Sequence, residues 1–183
     1  GDVATAARQG PLTSGGRVLA RRHLWAFDGG STHWGPPGWR TCPQPDGGLD
    51  RRLAAAFLSV GDGPALLVGM DTPQLRAEHL TAFDPRRYDA CLGLASDGGY
   101  WAIGLRDPRV AARAIPGVEM STSRTGADQL DRLRALGLRV QLLDHLSDVD
   151  TIQDAIEVGA LVPDSVFGRT VASLTKPVLE HAS

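Results

Sequence analysis

The run Pro64-Ala-Leu-Leu-Val-Gly-Met70 is apolar throughout and stops abruptly at Asp71-Thr72-Pro73. A segment with no polar face predicts a strand buried on both sides, as in the centre of a parallel sheet covered by helices. An aspartate directly behind such a strand is poorly explained by core packing. It draws attention to the carboxyl edge of the sheet, where ligands of open α/β sheets bind.

The flanking segments alternate in period. His23 to Phe27 reads as a short buried strand stopping at Asp28-Gly29-Gly30, and residues 29–38, with four glycines and two prolines, as a loop. Trp39 to Cys42 reads as a short strand. Leu49, Leu53, Ala56, Phe57 and Val60 share one face of a helix over 49–60. A helix is expected from about Gln74 to Phe83, with Thr72 as its cap and Pro73 at its first position. Tyr88 to Leu94 and Tyr100 to Leu105 read as strands around the turn Ala95 to Gly99. Residues 123–136 read as an amphipathic helix stopped by Gly137, and Leu138 to Leu143 as a strand. A helix over 152–161 is capped by Thr151 and Asp154. The last twenty residues predict a helix with a frayed end, residues 2–9 the tail of a helix, and residues 10–17 a loop. The expected fold is α/β, a mostly parallel sheet sandwiched by helices, in one domain over residues 1–183.

Composition narrows the function. The chain is 42% hydrophobic and 22% charged, with a formal net charge of -2. No basic stripe points to nucleic acid, and no apolar run reaches the roughly 20 residues that span a bilayer. Cys42 and Cys91 lack CxxC spacing and read as small thiols in a reducing compartment, which with the absence of a signal pattern places the chain in the cytoplasm. The five histidines show no zinc spacing.

Acidic residues carry the clearest chemistry. Asp71 and Asp150 both fall on the carboxyl edge of a parallel sheet, and a hard cation such as Mg²⁺ or Mn²⁺ needs only one or two carboxylates beside ligand phosphates. The competing local reading makes Asp71 a helix cap and Asp148 and Asp150 turn formers. Asp97-Gly98-Gly99 permits close approach of a ligand to the backbone, or is an ordinary hairpin turn. Ser123 and Arg124 open a helix where a phosphate could sit, or merely cap it. Gln44, Gly47 and Gly48 precede another helix and suit a base or phosphate contact, or a turn.

In order, the segments QPDGGLDRRLAAAF (44–57), LLVGMDTPQL (66–75), DACLGLASDGGYWAIGLRDP (89–108), MSTSRTGADQLDRLRALGLRV (120–140) and DVDTIQDA (148–155) resemble a bacterial family of small glycosyltransferase-A-like proteins. These are of the radical-SAM- or selenoprotein-associated transferase type and are similar to molybdopterin guanylyltransferase and related nucleotidyltransferases. The resemblance implies a nucleotide-diphospho-sugar transferase (GT-A, Rossmann-like) fold. It implies that Asp71 and Asp150 are metal carboxylates, and that Asp97, Gly98 and Gly99 form the acceptor-side turn, with Asp97 orienting or deprotonating the acceptor. Members of the family begin with an apolar strand and a loop of the type AKxPxxGxVKTRL. This chain has neither, so the expected fold lacks its first strand and loop, and the edge of the strand at 24–28 is left open to pairing in a homodimer.

The leading expectation is therefore a metal-dependent transferase with a nucleotide-sugar donor and a small-molecule acceptor. A second is nucleotidyl transfer from an NTP to a phosphorylated acceptor. A third is a non-catalytic binding or scaffold protein.

Overall fold

The structure, a computed structural model, describes residues 4–9, 20–27 and 39–175. The loops expected at 10–17 and 29–38 lie outside the described residues. Among the described residues, seven strands form one sheet: β1 (Ala4–Gln9), β2 (Ala20–Phe27), β3 (Arg40–Pro43), β4 (Ala65–Val68), β5 (Ala90–Leu94), β6 (Tyr100–Leu105) and β7 (Val140–Leu142), in the order β3-β2-β1-β4-β6-β5-β7. Among the described residues, six α-helices accompany them: α1 (Leu49–Val60), α2 (Ala77–Thr81), α3 (Ala111–Ala114), α4 (Thr125–Ala135), α5 (Ile152–Leu161) and α6 (Val166–Thr175).

The pairings give β2, β3, β4, β5 and β7 one direction and β1 and β6 the other. The sheet is thus mostly parallel in direction, with two reversed strands. The reversal of β6 follows from its connection. Only residues 95–99 separate it from β5, and a turn that short can join antiparallel neighbours but not parallel ones.

β4 is buried at all four positions, as its composition requires, and its side chains alternate between two cores. Ala65 and Leu67 join Phe57 and Val60 of α1, Ile103, Leu105 and Leu133 on one face, while Leu66 and Val68 meet Phe83, Cys91 and Trp101 on the other. Phe57 and Val60 have no exposure, a burial of roughly 1.5–3 kcal/mol each. Among the described residues, no helix is long and apolar enough to cross a membrane.

Three local expectations are corrected. Residues 4–9 form strand β1 rather than the tail of a helix, because β2 and β4 flank the chain on both sides and take up its backbone groups. That strand fills the place between β2 and β4, running antiparallel to both. With β1 on one side and β3 on the other, β2 has no open edge, so the reason for expecting an edge-repairing dimer disappears. Finally, the helix expected over 74–83 is confined to 77–81. Thr72 does not cap it. Its hydroxyl donates to Asp148 at 2.9 Å, and residues 72–75 form a turn closed by Leu75 N–H on the Thr72 carbonyl.

Candidate active site

The chain leaves the sheet at its carboxyl edge three times beside one another: after β4, after β5 and after β7. After β4, Gly69 N–H donates to the Trp101 carbonyl, and the Asp71 carboxylate lies over Gly69, where any Cβ would meet Asp71 Oδ1 at 2.7 Å. After β5, the turn is closed by Ala95 N–H on the Gly99 carbonyl and by Gly98 N–H on the Ala95 carbonyl. Asp97 Oδ1 accepts from Gly99 N–H at 2.8 Å, so the carboxylate is held by the turn that carries it.

After β7, residues 143–146 continue alongside β5 through Leu143 N–H on the Leu92 carbonyl and Leu146 N–H on the Leu94 carbonyl. The chain then crosses to the end of β4. Val149 N–H donates to the Asp71 carbonyl, Gln74 Nε2 donates to the Ser147 carbonyl at 2.6 Å, and Trp101 Nε1 donates to the Asp144 carbonyl at 2.9 Å. Together with the Thr72–Asp148 bond, these contacts lash the 144–150 segment to the ends of β4 and β6.

The result is a cavity of about 690 Å³. Asp71, Asp97, Asp148 and Asp150 line it, with Gly69, Met70, Gly99, Tyr100, Trp101, the hydroxyl-bearing Ser121, Thr122, Ser123 and Thr125, and an apolar wall of Leu49, Leu53, Leu67 and Met120. Burial raises the Asp148 carboxyl to about 6. The Thr72 hydroxyl opposes the shift, and the charges of Asp71, Asp97 and Asp150 add to it. Burial, aided by Asp50, also pushes the Tyr100 phenol upward, and its hydroxyl donates to Met120 Sδ at 3.8 Å. Tyr100 is thus a neutral wall group.

Among the described residues, no three His, Cys, Asp or Glu side chains are grouped as a metal cage.

Of the residues singled out in the sequence, Asp71, Asp97, Gly99, Ser123 and Asp150 line this one cavity. Gly98 stands just behind its wall. It has φ +92, and a Cβ there would run into the Ser123 backbone. Gln44, Gly47, Gly48 and Arg124 are not lining residues. Gln44 accepts from Arg52 at 3.3 Å, Gly48 caps α1 with its carbonyl, and Arg124 pairs with Asp128 one helical turn on. Gly47 has φ +126, as a turn glycine does, and Gln44 Nε2 is buried without a hydrogen-bond partner among the described residues. Sequence reasoning passed over Asp148 as a site residue in its own right, because its spacing from Asp150 reads as a turn. It also missed Met70 and Met120. They are the only two methionines in the chain, and both face the cavity.

Residues 11–122 match the family described as an uncharacterized protein conserved in bacteria, DUF2064. No curated protein matches the chain. Among solved structures, one from Desulfovibrio desulfuricans G20, provisionally named a nucleotide-diphospho-sugar transferase, is similar at a TM-score of 0.71 and 26% identity. The similarity covers 81% of this chain and 71% of that one. The α/β architecture with its mostly parallel, helix-flanked sheet is therefore that of a GT-A-like fold.

Proposed function

The chain belongs to DUF2064, a family of uncharacterized proteins conserved in bacteria, and from that premise we propose that it is a metal-dependent transferase using a nucleotide-sugar donor. One observation carries the reading: carboxylates from three separate strand ends meet in one cavity beside a hydroxyl-rich loop and an apolar wall. The similarity to a protein provisionally named a nucleotide-diphospho-sugar transferase supports the same reaction class. The finer likeness to radical-SAM- or selenoprotein-associated transferases is part of the proposal.

In this reading Asp71 and Asp150, with Asp148 beside them, hold a Mg²⁺ or Mn²⁺ ion. Bound there, the ion would offset charge on a departing diphosphate. The protein's own part is positional. The lashing of 144–150 to the end of β4 sets Asp148 and Asp150 against Asp71, and the Asp97 turn presents a carboxylate to the acceptor side. Asp97 Oδ1 is engaged by Gly99 N–H, which leaves Oδ2 to accept a proton from an acceptor hydroxyl.

The test is thermal unfolding with a panel of nucleotides and nucleotide sugars, with and without Mn²⁺ or Mg²⁺. A ligand at about 100 times its dissociation constant stabilises by about 2.7 kcal/mol. A metal-dependent rise of the midpoint that disappears in Asp71→Ala is expected, and product analysis should find a nucleoside diphosphate rather than pyrophosphate. No response to any nucleotide with either metal overturns the reading.

A further inference from the structure

The turn after β4 and the 144–150 segment meet rung by rung. Val149 N–H donates to the Asp71 carbonyl at 2.9 Å. Thr72 Oγ1 donates to Asp148 Oδ1 at 2.9 Å, and Gln74 Nε2 donates to the Ser147 carbonyl at 2.6 Å. Residues 71, 72 and 74 thus face 149, 148 and 147 in reverse order. Both polar side chains of the turn are buried, Thr72 to 3% exposure and Gln74 to 7%. A hydroxyl at that depth requires a partner. The partner of Thr72 lies 76 residues away and is a carboxylate that lines the cavity.

The rungs do different work. The bonds from Val149 and Gln74 involve main-chain groups of the segment, as does the bond from Trp101 Nε1 to the Asp144 carbonyl. They dock the backbone whatever side chain stands at 148. The Thr72 rung alone among these ends on a side chain, so docking of the segment does not depend on it. What it adds is the rotation of one carboxylate. The torsion that turns a carboxylate is broad, and without a donor it has no single setting. Asp148 also shares the cavity with Asp71, Asp97 and Asp150, whose like charge favours turning it away. The Thr72 hydroxyl holds Oδ1 on the side of the β4 turn and leaves Oδ2 to the cavity. Partners of this kind, one step behind a metal's own ligands, fix the ligands' orientation, and losing one typically lowers metal affinity about 10–100-fold.

Resting on the metal-dependent reading above, we infer that Thr72 is a positioning residue for the divalent cation: its hydroxyl fixes Asp148 Oδ1 so that Oδ2 is turned to the ion held by Asp71 and Asp150. Thr72 is not among the lining residues, and it acts through Asp148 alone. The hydroxyl is the working part and the methyl group is not. Serine therefore substitutes for threonine, whereas valine, of the same shape, does not. Gln74 supplies the contrast, because it holds the same segment without touching a carboxylate.

The experiment titrates Mn²⁺ into the protein, alone and with each nucleotide and nucleotide sugar, and reads free Mn²⁺ by electron paramagnetic resonance. Thermal unfolding without metal is followed in parallel. Wild type is compared with Thr72→Val, Thr72→Ala, Thr72→Ser and Gln74→Met. In Thr72→Val and Thr72→Ala the Mn²⁺ dissociation constant should rise about tenfold or more, while Thr72→Ser keeps the wild-type value. Gln74→Met should lower the metal-free midpoint at least as far as Thr72→Val does, yet bind Mn²⁺ as wild type does. Wild-type Mn²⁺ affinity in Thr72→Val overturns the inference and leaves the metal-dependent reading standing. So does an equal loss of affinity in Gln74→Met, which would make the Thr72 bond one staple among several. A wild-type chain that binds no Mn²⁺, alone or with any nucleotide, overturns the metal-dependent reading and the inference with it.

Discussion

Asp148 is half-buried beside three other carboxylates, and its response to pH follows from that position. With its folded pKa raised to about 6, above the unfolded value, the native state binds more protons than the unfolded one between the two values. The sign is the reverse of a salt-bridged aspartate: stability contributed by this group rises as pH falls from 7 through 6, and is lost as pH rises. Urea unfolding at pH 7 and pH 5 should show this slope, and Asp148→Asn should flatten it. A cation bound beside it competes with the proton, so its affinity should rise with pH through about 6, measured by metal titration. A second residue-level constraint lies at Gly93, where a Cβ would collide with the Trp101 indole. Gly93→Ala should cost about 1–3 kcal/mol by overpacking, read from urea midpoints. It should also weaken nucleotide-induced stabilisation, because Trp101 Nε1 holds the Asp144 carbonyl of the strap. The sequence pointed to Asp71 because an acid behind a wholly apolar strand has no packing explanation. It could not rank Asp148 above Asp150, since burial and the Thr72 hydrogen bond arise only when distant segments meet.

At the scale of elements, helices with an apolar stripe and a clear stop were legible. α1 begins after Gly48 and ends at Gly61 with φ 79, as its stripe and flanking glycines suggest. α5 starts at a capping box in which Thr151 accepts from Asp154 N–H at 3.2 Å and Asp154 accepts from Thr151 N–H at 2.8 Å. Thr151→Ala should cost about 1 kcal/mol, seen in the urea midpoint, with little effect at the site. α2 was overextended in the sequence reading because Thr72-Pro73 has the form of a helix start. The Thr72 hydroxyl serves a partner 76 residues away instead. β1 was misread for a related reason: Ala4 to Gln9 has no strong period of its own, and its strand state depends on β2 and β4.

For the whole molecule, stability and site chemistry are placed at opposite edges of the sheet. At the amino end of β5, Asp89 accepts from Arg139 N–H and from Arg139 Nε, both at 3.0 Å, and pairs with Arg106, joining the ends of β5, β6 and β7. The Arg139 hydrogen bond chiefly holds the Asp89 carboxyl below the usual range. Its contribution is therefore present above the unfolded value and lost as pH falls through the lowered folded value. Asp89→Asn should lower stability by about 1–2 kcal/mol at pH 7, discounted for the exposed arginines, and leave the nucleotide-induced midpoint rise unchanged. Periodicity and composition determined the α/β class, the buried centre at β4 and the positions of β5, β6, α1, α4 and α5, because each is written in local hydrophobic spacing. The identity of Asp71 and Asp97 as cavity residues was also local, since both directly follow strands. Only the tertiary structure decided the reversed directions of β1 and β6, the strap from 144 to 150 and the pairing of Asp148 with Thr72. It also decided the exclusion of Gln44, Gly47, Gly48 and Arg124 from the cavity wall. Each of these depends on which distant backbone and side-chain groups satisfy one another, and no period along a single segment carries that information.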